Sequence, residues 1–180
     1  MTAPRFETER LILRRWLPRD RAPFAALNAD PQVMRHFPAV LDRAESDGLI
    51  DRFEAGFEAD GIGFAAAERR ADGALLGMVG IGRVHGGPLD GAVEVGWRLA
   101  TEHWGRGYAT EAARRWLEHG FGPMALPEIV AFTVPANTAS RAVMQRLGMV
   151  QDPSRAFEHP SLPEGHPLRP HVVYGLRRPG

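Results

Sequence analysis

A chain of 180 residues with 44% hydrophobic side chains is long enough to bury one substantial core and needs no more than one domain, expected over 1–180. Lys plus Arg and Asp plus Glu both number 22, and no block of like charge stands out, which argues against broad electrostatic binding to nucleic acid or a membrane surface. The lack of cysteine excludes disulfides, cysteine-ligated zinc and a thiol nucleophile together.

The stretch from Met1 to Trp16 carries charges throughout and has no apolar core of signal-peptide length. No run of about 18 apolar residues occurs anywhere, so a cytoplasmic protein is expected. Arg10 to Trp16 has strand-forming residues, and Pro18 to Ala29 follows with helical spacing at Phe24 and Leu27. Arg35 to Pro38 makes a bend before Ala44 to Ala59, where Leu49, Ile50, Phe53 and Phe57 recur at spacings of three and four. Ile62 to Glu68 and Ala74 to Val84 read as a hairpin joined at Asp72-Gly73. After the turn cluster Gly86 to Gly91, the stretch Ala92 to Leu99 alternates Val93, Val95, Trp97 and Leu99 against Glu94, Gly96 and Arg98, a strand with two distinct faces.

That strand runs into His103-Trp-Gly-Arg-Gly-Tyr-Ala-Thr-Glu-Ala112, which reads as a glycine turn opening a helix. Gly105 and Gly107 suit positive φ or close backbone approach, and the first amides of the helix behind them have no partner within it. Such a helix end attracts a phosphate, although a lone Gly-x-Gly also occurs in ordinary turns. Ala109, Ala112, Ala113, Trp116 and Leu117 form one helical stripe, with Gly120 placed as its stop. Glu128 to Val134 is a further strand, and Asn137 opens a helix bearing Ala139, Ala142, Val143 and Leu147 before Gly148. Asp152 to Pro170, rich in Pro, His and Gly, is expected to be a long loop, and Val172 to Leu176 a closing strand. No internal repeat occurs.

Three pieces together, VEVGWRL at 93–99, WGRGYATEA at 104–112 and ANTASRAVMQRLGM at 136–149, resemble the GNAT family of acyl-CoA-dependent N-acyltransferases. The opening TERLILRRW and closing HPLRPHVVYGL look like the branch of ribosomal-protein alanine and serine N-acetyltransferases. The resemblance implies an α/β (α+β) fold: a strongly twisted mixed sheet, splayed at the cofactor cleft and flanked by helices. It implies acetyl-CoA as co-substrate, with the pyrophosphate held by backbone amides of Gly105, Arg106, Gly107, Tyr108 and Ala109. The Arg106 side chain either adds a charged contact or is simply solvated. Trp104 departs from the family's usual Gln or Arg. The pantetheine arm would lie along Trp97, Arg98 and Leu99 as an extra strand, in contact with Asn137 and Ser140; Asn137 would equally serve as a helix cap.

Acetyl transfer to an amine needs a base, a polarised thioester carbonyl and a proton for the departing thiolate. Glu94 is the candidate base, on the strand leading to the cofactor turn; the alternatives are an exposed strand glutamate or a salt-bridge partner of Arg98. Met144 stands where the family often has a tyrosine and has no proton to give. That leaves Ser140, the more remote Tyr174, or solvent as the acid. The oxyanion falls to a backbone amide at Leu99 or Ala100. An α-amine with pKa near 8 is about one tenth neutral at pH 7, whereas a lysine near 10.4 is hundreds of times less so, a difference of about 3 kcal/mol.

His159, His166 and His171 fit no metal motif, and no Gly-x-Ser-x-Gly elbow accompanies the serines. His36, Phe37 and the loop around His85 are placed as acceptor-pocket walls rather than ligands. The expected function is N-acetyl transfer from acetyl-CoA by direct attack of a primary amine, without an acyl-enzyme, the acceptor being a protein or peptide N-terminus. A small-molecule amine, such as an antibiotic or polyamine, or a non-catalytic acyl-CoA sensor are the alternatives. ATP binding lacks GxxxxGK[ST]. Monomer and homodimer both remain open.

Overall fold

The computed structural model describes residues 4–180; Met1 to Ala3, the start of the charged N-terminal stretch and of the expected domain range, lie outside the described residues. The helices are α1 (Arg21–Ala29), α2 (Arg43–Asp60), α3 (Tyr108–Phe121) and α4 (Thr138–Arg146). The strands are β1 (Phe6–Glu7), β2 (Leu11–Arg14), β3 (Phe64–Arg69), β4 (Leu75–Arg83), β5 (Val93–Leu99), β6 (Glu128–Thr133), β7 (Val150–Gln151), β8 (Phe157–Glu158) and β9 (Pro170–Arg177). They form one nine-stranded mixed sheet in the order β1-β2-β3-β4-β5-β6-β9-β7, with β8 added to β9.

Every pairing is antiparallel except β5 with β6. On its other side β5 is fully registered on β4, from Gly77 opposite Leu99 to Arg83 opposite Val93. Against β6 it registers only at Glu94 opposite Val130. Beyond that point the two strands part, and the β5 backbone from Val95 to Leu99 is left without a ladder partner on the β6 side. A sheet edge inside a domain is a cleft with unmet hydrogen-bonding groups on its wall.

Alternation along β5 divides its side chains between two layers. Val93, Val95 and Leu99 enter the main core with Ala112, Ala113, Trp116 and Leu117 of α3, so the apolar stripe of α3 is what holds that helix to the sheet. Trp16, Phe24, Leu27, Ile50 and Met78 form a second core beneath α1 and α2 on the other face. Asp42 and Glu45 complete a reciprocal capping box that fixes the start of α2.

Two local expectations are corrected and one strand is added. Helix α3 continues through Gly120 to Phe121 and is capped at Gly122 with φ −82°, because buried Gly120 packs under Ile129 and Leu126 instead of turning the chain. The loop from Asp152 to Pro170 contains strand β8 and a turn of 3-10 helix at Pro153–Arg155. Phe6–Glu7 is a strand too short for alternation to reveal, held by pairing with β2.

Candidate functional site

The glycine turn has the backbone geometry its sequence demands. Gly105 (φ +70°) and Gly107 (φ +80°) are both left-handed, and Gly107 caps α3 with no side chain covering the helix end. The first helical bond runs from Glu111 N–H to the Gly107 carbonyl, so the amides ahead of it are free to meet an anion. The turn is clamped from behind. Glu111 accepts hydrogen bonds from Thr8 Oγ1 (2.6 Å), Arg10 N (2.9 Å) and Arg10 Nε (2.7 Å), while Arg10 Nη1 donates to the Arg106 carbonyl at 2.9 Å. Burial alone would raise the Glu111 carboxyl, but these donors outweigh it and hold its pKa low.

A cavity of about 1300 Å³ opens from this turn along β5 to the point where β5 and β6 part. That exceeds the volume of a pocket for a drug-sized ligand and leaves room for a long, jointed one. With the free amides at one end and the unpaired β5 edge along its length, the cavity fits a phosphate-bearing carrier with a peptide-like arm. Trp97, Arg98, Leu99, Gly105, Gly107, Tyr108, Ala109, Asn137, Ser140 and Glu94 all line it. Arg106 does not; its side chain is exposed and only its carbonyl is engaged. Trp104 closes the end of β5 by donating from Nε1 to the Leu99 carbonyl at 2.8 Å, with the Arg35 guanidinium 5.2 Å above its ring. Ala100 is removed as an oxyanion donor, since its amide already donates to the Leu76 carbonyl at 2.9 Å.

Glu94, Gly96 and Arg98 share the β5 face turned away from α3. Glu94 stands at the splay point with no hydrogen-bond or ion-pair partner among the described residues, and burial pushes its carboxyl up to about 7. It does not pair with Arg98. Arg98 Nη1 instead donates to Asn28 Oδ1 at 2.6 Å, and its guanidinium lies 4.2 Å from the centre of the Phe37 ring. Gly96, between them, makes room for Phe64: a Cβ there would come within 2.9 Å of the ring. His36 and Phe37 are cavity walls, whereas His85 is not.

On the other wall, Asn137 uses both ends of its amide. Oδ1 accepts from Ser140 N at 3.2 Å to cap α4, and Nδ2 donates to Thr133 Oγ1 at 3.0 Å, tying the helix to the end of β6. Ser140 follows one turn in. Met144 is buried where cavity and core meet. Tyr174 is taken up elsewhere, accepting from Arg141 Nε at 3.1 Å and donating to Gln151 at 3.2 Å, outside the cavity lining. Buried His103, beside the turn, has an unpartnered Nδ1, and burial lowers its pKa. It also lines the cavity, as do His159 and His171. None of the three was assigned a place from sequence, because nothing in their spacing distinguishes a wall from a surface loop. Among the described residues no group of three or more His, Asp or Glu side chains is arranged to hold a metal ion, and no helix is long and apolar enough to cross a membrane.

Comparison with known proteins agrees with this geometry. The chain is 32% identical over 145 residues to the uncharacterized protein YkkB of Bacillus subtilis, covering 79% of this chain and 83% of that one. The crystal structure of an acetyltransferase from Agrobacterium tumefaciens superposes with a TM-score of 0.80 at 28% identity, covering 98% and 96% of the two chains. A ribosomal-protein-S5-alanine acetyltransferase from Vibrio fischeri shares the fold at 18% identity, with a TM-score of 0.72 and 97% of each chain covered. Residues 10–150 match the model of the acetyltransferase (GNAT) domain, and the chain belongs to the GNAT family of acetyl-CoA-dependent acyltransferases.

Proposed function

We propose that this enzyme acetylates the α-amine of its acceptor by direct attack on the thioester of acetyl-CoA, with Glu94 as the base. The observation that carries this reading is the carboxyl of Glu94, unpaired at the splay point and raised to about 7 by burial. A base poised near neutrality is matched to an amine of pKa near 8, whereas a lysine would demand about 3 kcal/mol more to reach its neutral form. Tyr108 and Ala109 amides, with the backbone of Gly105, Arg106 and Gly107, hold the pyrophosphate. The edge from Trp97 to Leu99, unpaired with β6 although the Leu99 carbonyl accepts from Trp104, receives the pantetheine arm, and Asn137 supports it from α4. The co-substrate supplies the activated acetyl group. As the amine nitrogen bonds to the carbonyl carbon, its proton passes to Glu94, directly or through one water. The carbon–sulfur bond then breaks, and the Ser140 hydroxyl donates a hydrogen bond to the departing sulfur while solvent supplies the proton.

Thiol release with acetyl-CoA and a panel of peptides, aminoglycosides and polyamines tests the reading. The expected wild-type kcat/KM for an α-amine rises with pH through about 7, as Glu94 ionises. Glu94→Gln is expected to lower it by about 10²- to 10⁴-fold and to remove that limb of the profile. An undiminished rate in the variant would eliminate Glu94 as the base.

A further inference from the structure

We propose that Arg98 selects acceptors carrying a carboxylate several bonds from the reacting amine, an inference that rests on amine acetylation at Glu94. Arg98 is a cation on the cavity wall held only by neutral groups. Asn28, fully buried, is locked by donating from Nδ2 to Ser46 Oγ at 2.9 Å, so its Oδ1 is fixed toward the Arg98 guanidinium. Phe37 covers one face of that guanidinium. Arg98 Nε is buried with no hydrogen-bond partner, and among the described residues no carboxylate pairs with the side chain. Elsewhere in this molecule a buried arginine is neutralised: Arg14 meets both Asp20 and Glu68 at 2.6 Å.

Burial lowers the Arg98 pKa to about 10, which leaves it charged at neutral pH. A half-buried cation without a counter-ion, its Nε shut off from water and unpaired, is costly and leaves donors unmet, and an arriving carboxylate repairs both. Glu94 is not that counter-ion. It has no contact with Arg98, and four residues along a strand separate their Cα atoms by about 13 Å. The phosphates of the co-substrate are not the anion either. Their site is the N-terminus of α3, which packs on Val93, Val95 and Leu99, whereas Arg98 projects from the opposite face toward α1 and the loop bearing Phe37. The remaining occupant of this part of the cavity is the acceptor. With its amine at Glu94 it must span the Phe64 ring to reach Arg98, which requires a carboxylate separated from the amine by several bonds. An acidic side chain near a peptide N-terminus has that chemistry on an α-amine, and a small ω-amino acid presents the same carboxylate on an amine that needs about 3 kcal/mol more to reach its neutral form.

Two matched pairs separate these sources and the proposal from its rivals. Protein loaded with CoA is titrated calorimetrically with the amidated peptide Ser-Asp-Ala-Ala and its Asn counterpart, and with 4-aminobutanoate and 4-aminobutanamide. Binding of the carboxylate member about 10-fold or more tighter in at least one pair is expected; the pair that shows it identifies the source. Arg98→Gln is expected to level that pair by weakening the acid far more than the amide, while Arg98→Lys keeps the sign of the preference. Equal affinities within both pairs, or no binding of either acid, overturn the proposal. So does an equal loss for acid and amide in Arg98→Gln at unchanged thermal midpoint, which would make Arg98 a prop for the Phe37 loop. Thiol release measured with the same acceptors and acetyl-CoA in place of CoA distinguishes the two readings: silence there with an intact binding preference refutes the acetylation step and leaves the anion site standing.

Discussion

At the scale of the residue, the informative property of Glu94 is its environment. An isolated glutamate on an alternating strand is most simply a solvated side chain, and this one becomes a candidate base because β5 and β6 part beside it and its carboxyl lines the cavity with no partner among the described residues. Its burial makes it a liability to the fold. Its carboxyl, ordinarily near 4.5 and here raised to about 7, favours the folded state when protonated. That contribution is complete below about pH 4.5 and is lost as pH rises through about 7. Glu94→Gln should therefore gain stability relative to wild type between pH 5 and pH 8, by about 1–3 kcal/mol once water in the open cavity is allowed for. Denaturant melts at both pH values measure the gap, and a gap that does not widen with pH would show that Glu94 ionises freely. Arg98 makes the complementary point: its position on the strand was legible, but its partners Asn28 and Phe37 come from 70 and 61 residues away, as the numbering shows.

At the scale of the element, the strand, turn and helix from Val93 to Phe121 carry most of the proposed cofactor site, and nearly all of it is local chemistry. Period-two alternation, two glycines and an amphipathic stripe each act over a few residues, so each was readable in the chain. The turn also has a clear energetic test. Alanine at Gly107 must adopt φ near +80° with its Cβ 3.4 Å from Arg10 Nη2, at a conformational cost of about 1–2 kcal/mol. Gly107→Ala should weaken acetyl-CoA binding by about 10-fold, since relief of strain displaces the amides. It should change the thermal midpoint by only a few degrees. Calorimetric titration reads the first effect and a thermal melt the second; full affinity in the variant would argue against a backbone cradle. The end of α3 was misread at Gly120 for an equally local reason. A glycine that stops a helix and one that makes room for a neighbour are the same letter, and only Ile129 and Leu126 beside it distinguish them.

At the scale of the whole molecule, the layer formed by α1 and α2 is tied to the sheet by a buried ion cluster, one of whose partners lies 54 residues away along the chain. Arg14 on β2 binds Asp20 before α1 through two hydrogen bonds, at 2.6 and 2.9 Å, and Glu68 on β3 through two more, at 2.9 and 2.6 Å. All three residues are buried. Arg14→Met leaves buried Asp20 without its cation and Glu68 with only the exposed Arg19, 3.0 Å away, and should destabilise the fold by about 3 kcal/mol at neutral pH, measured by urea denaturation. A loss below 1 kcal/mol would mean that water reaches the pair.

The sequence by itself determined most of the element types and the glycine turn, which follow from periodicity and backbone freedom among neighbouring residues, while its motifs pointed to the family and, through that resemblance, to the mixed sheet. Only the tertiary structure decided where β5 and β6 separate, that Glu94 is half-buried and unpaired there, that Arg98 faces away from the glycine turn, and that the amide of Ala100 is already spent on Leu76. Burial and hydrogen-bond satisfaction depend on which distant segments arrive at a residue, and that is set by how the layers close on one another.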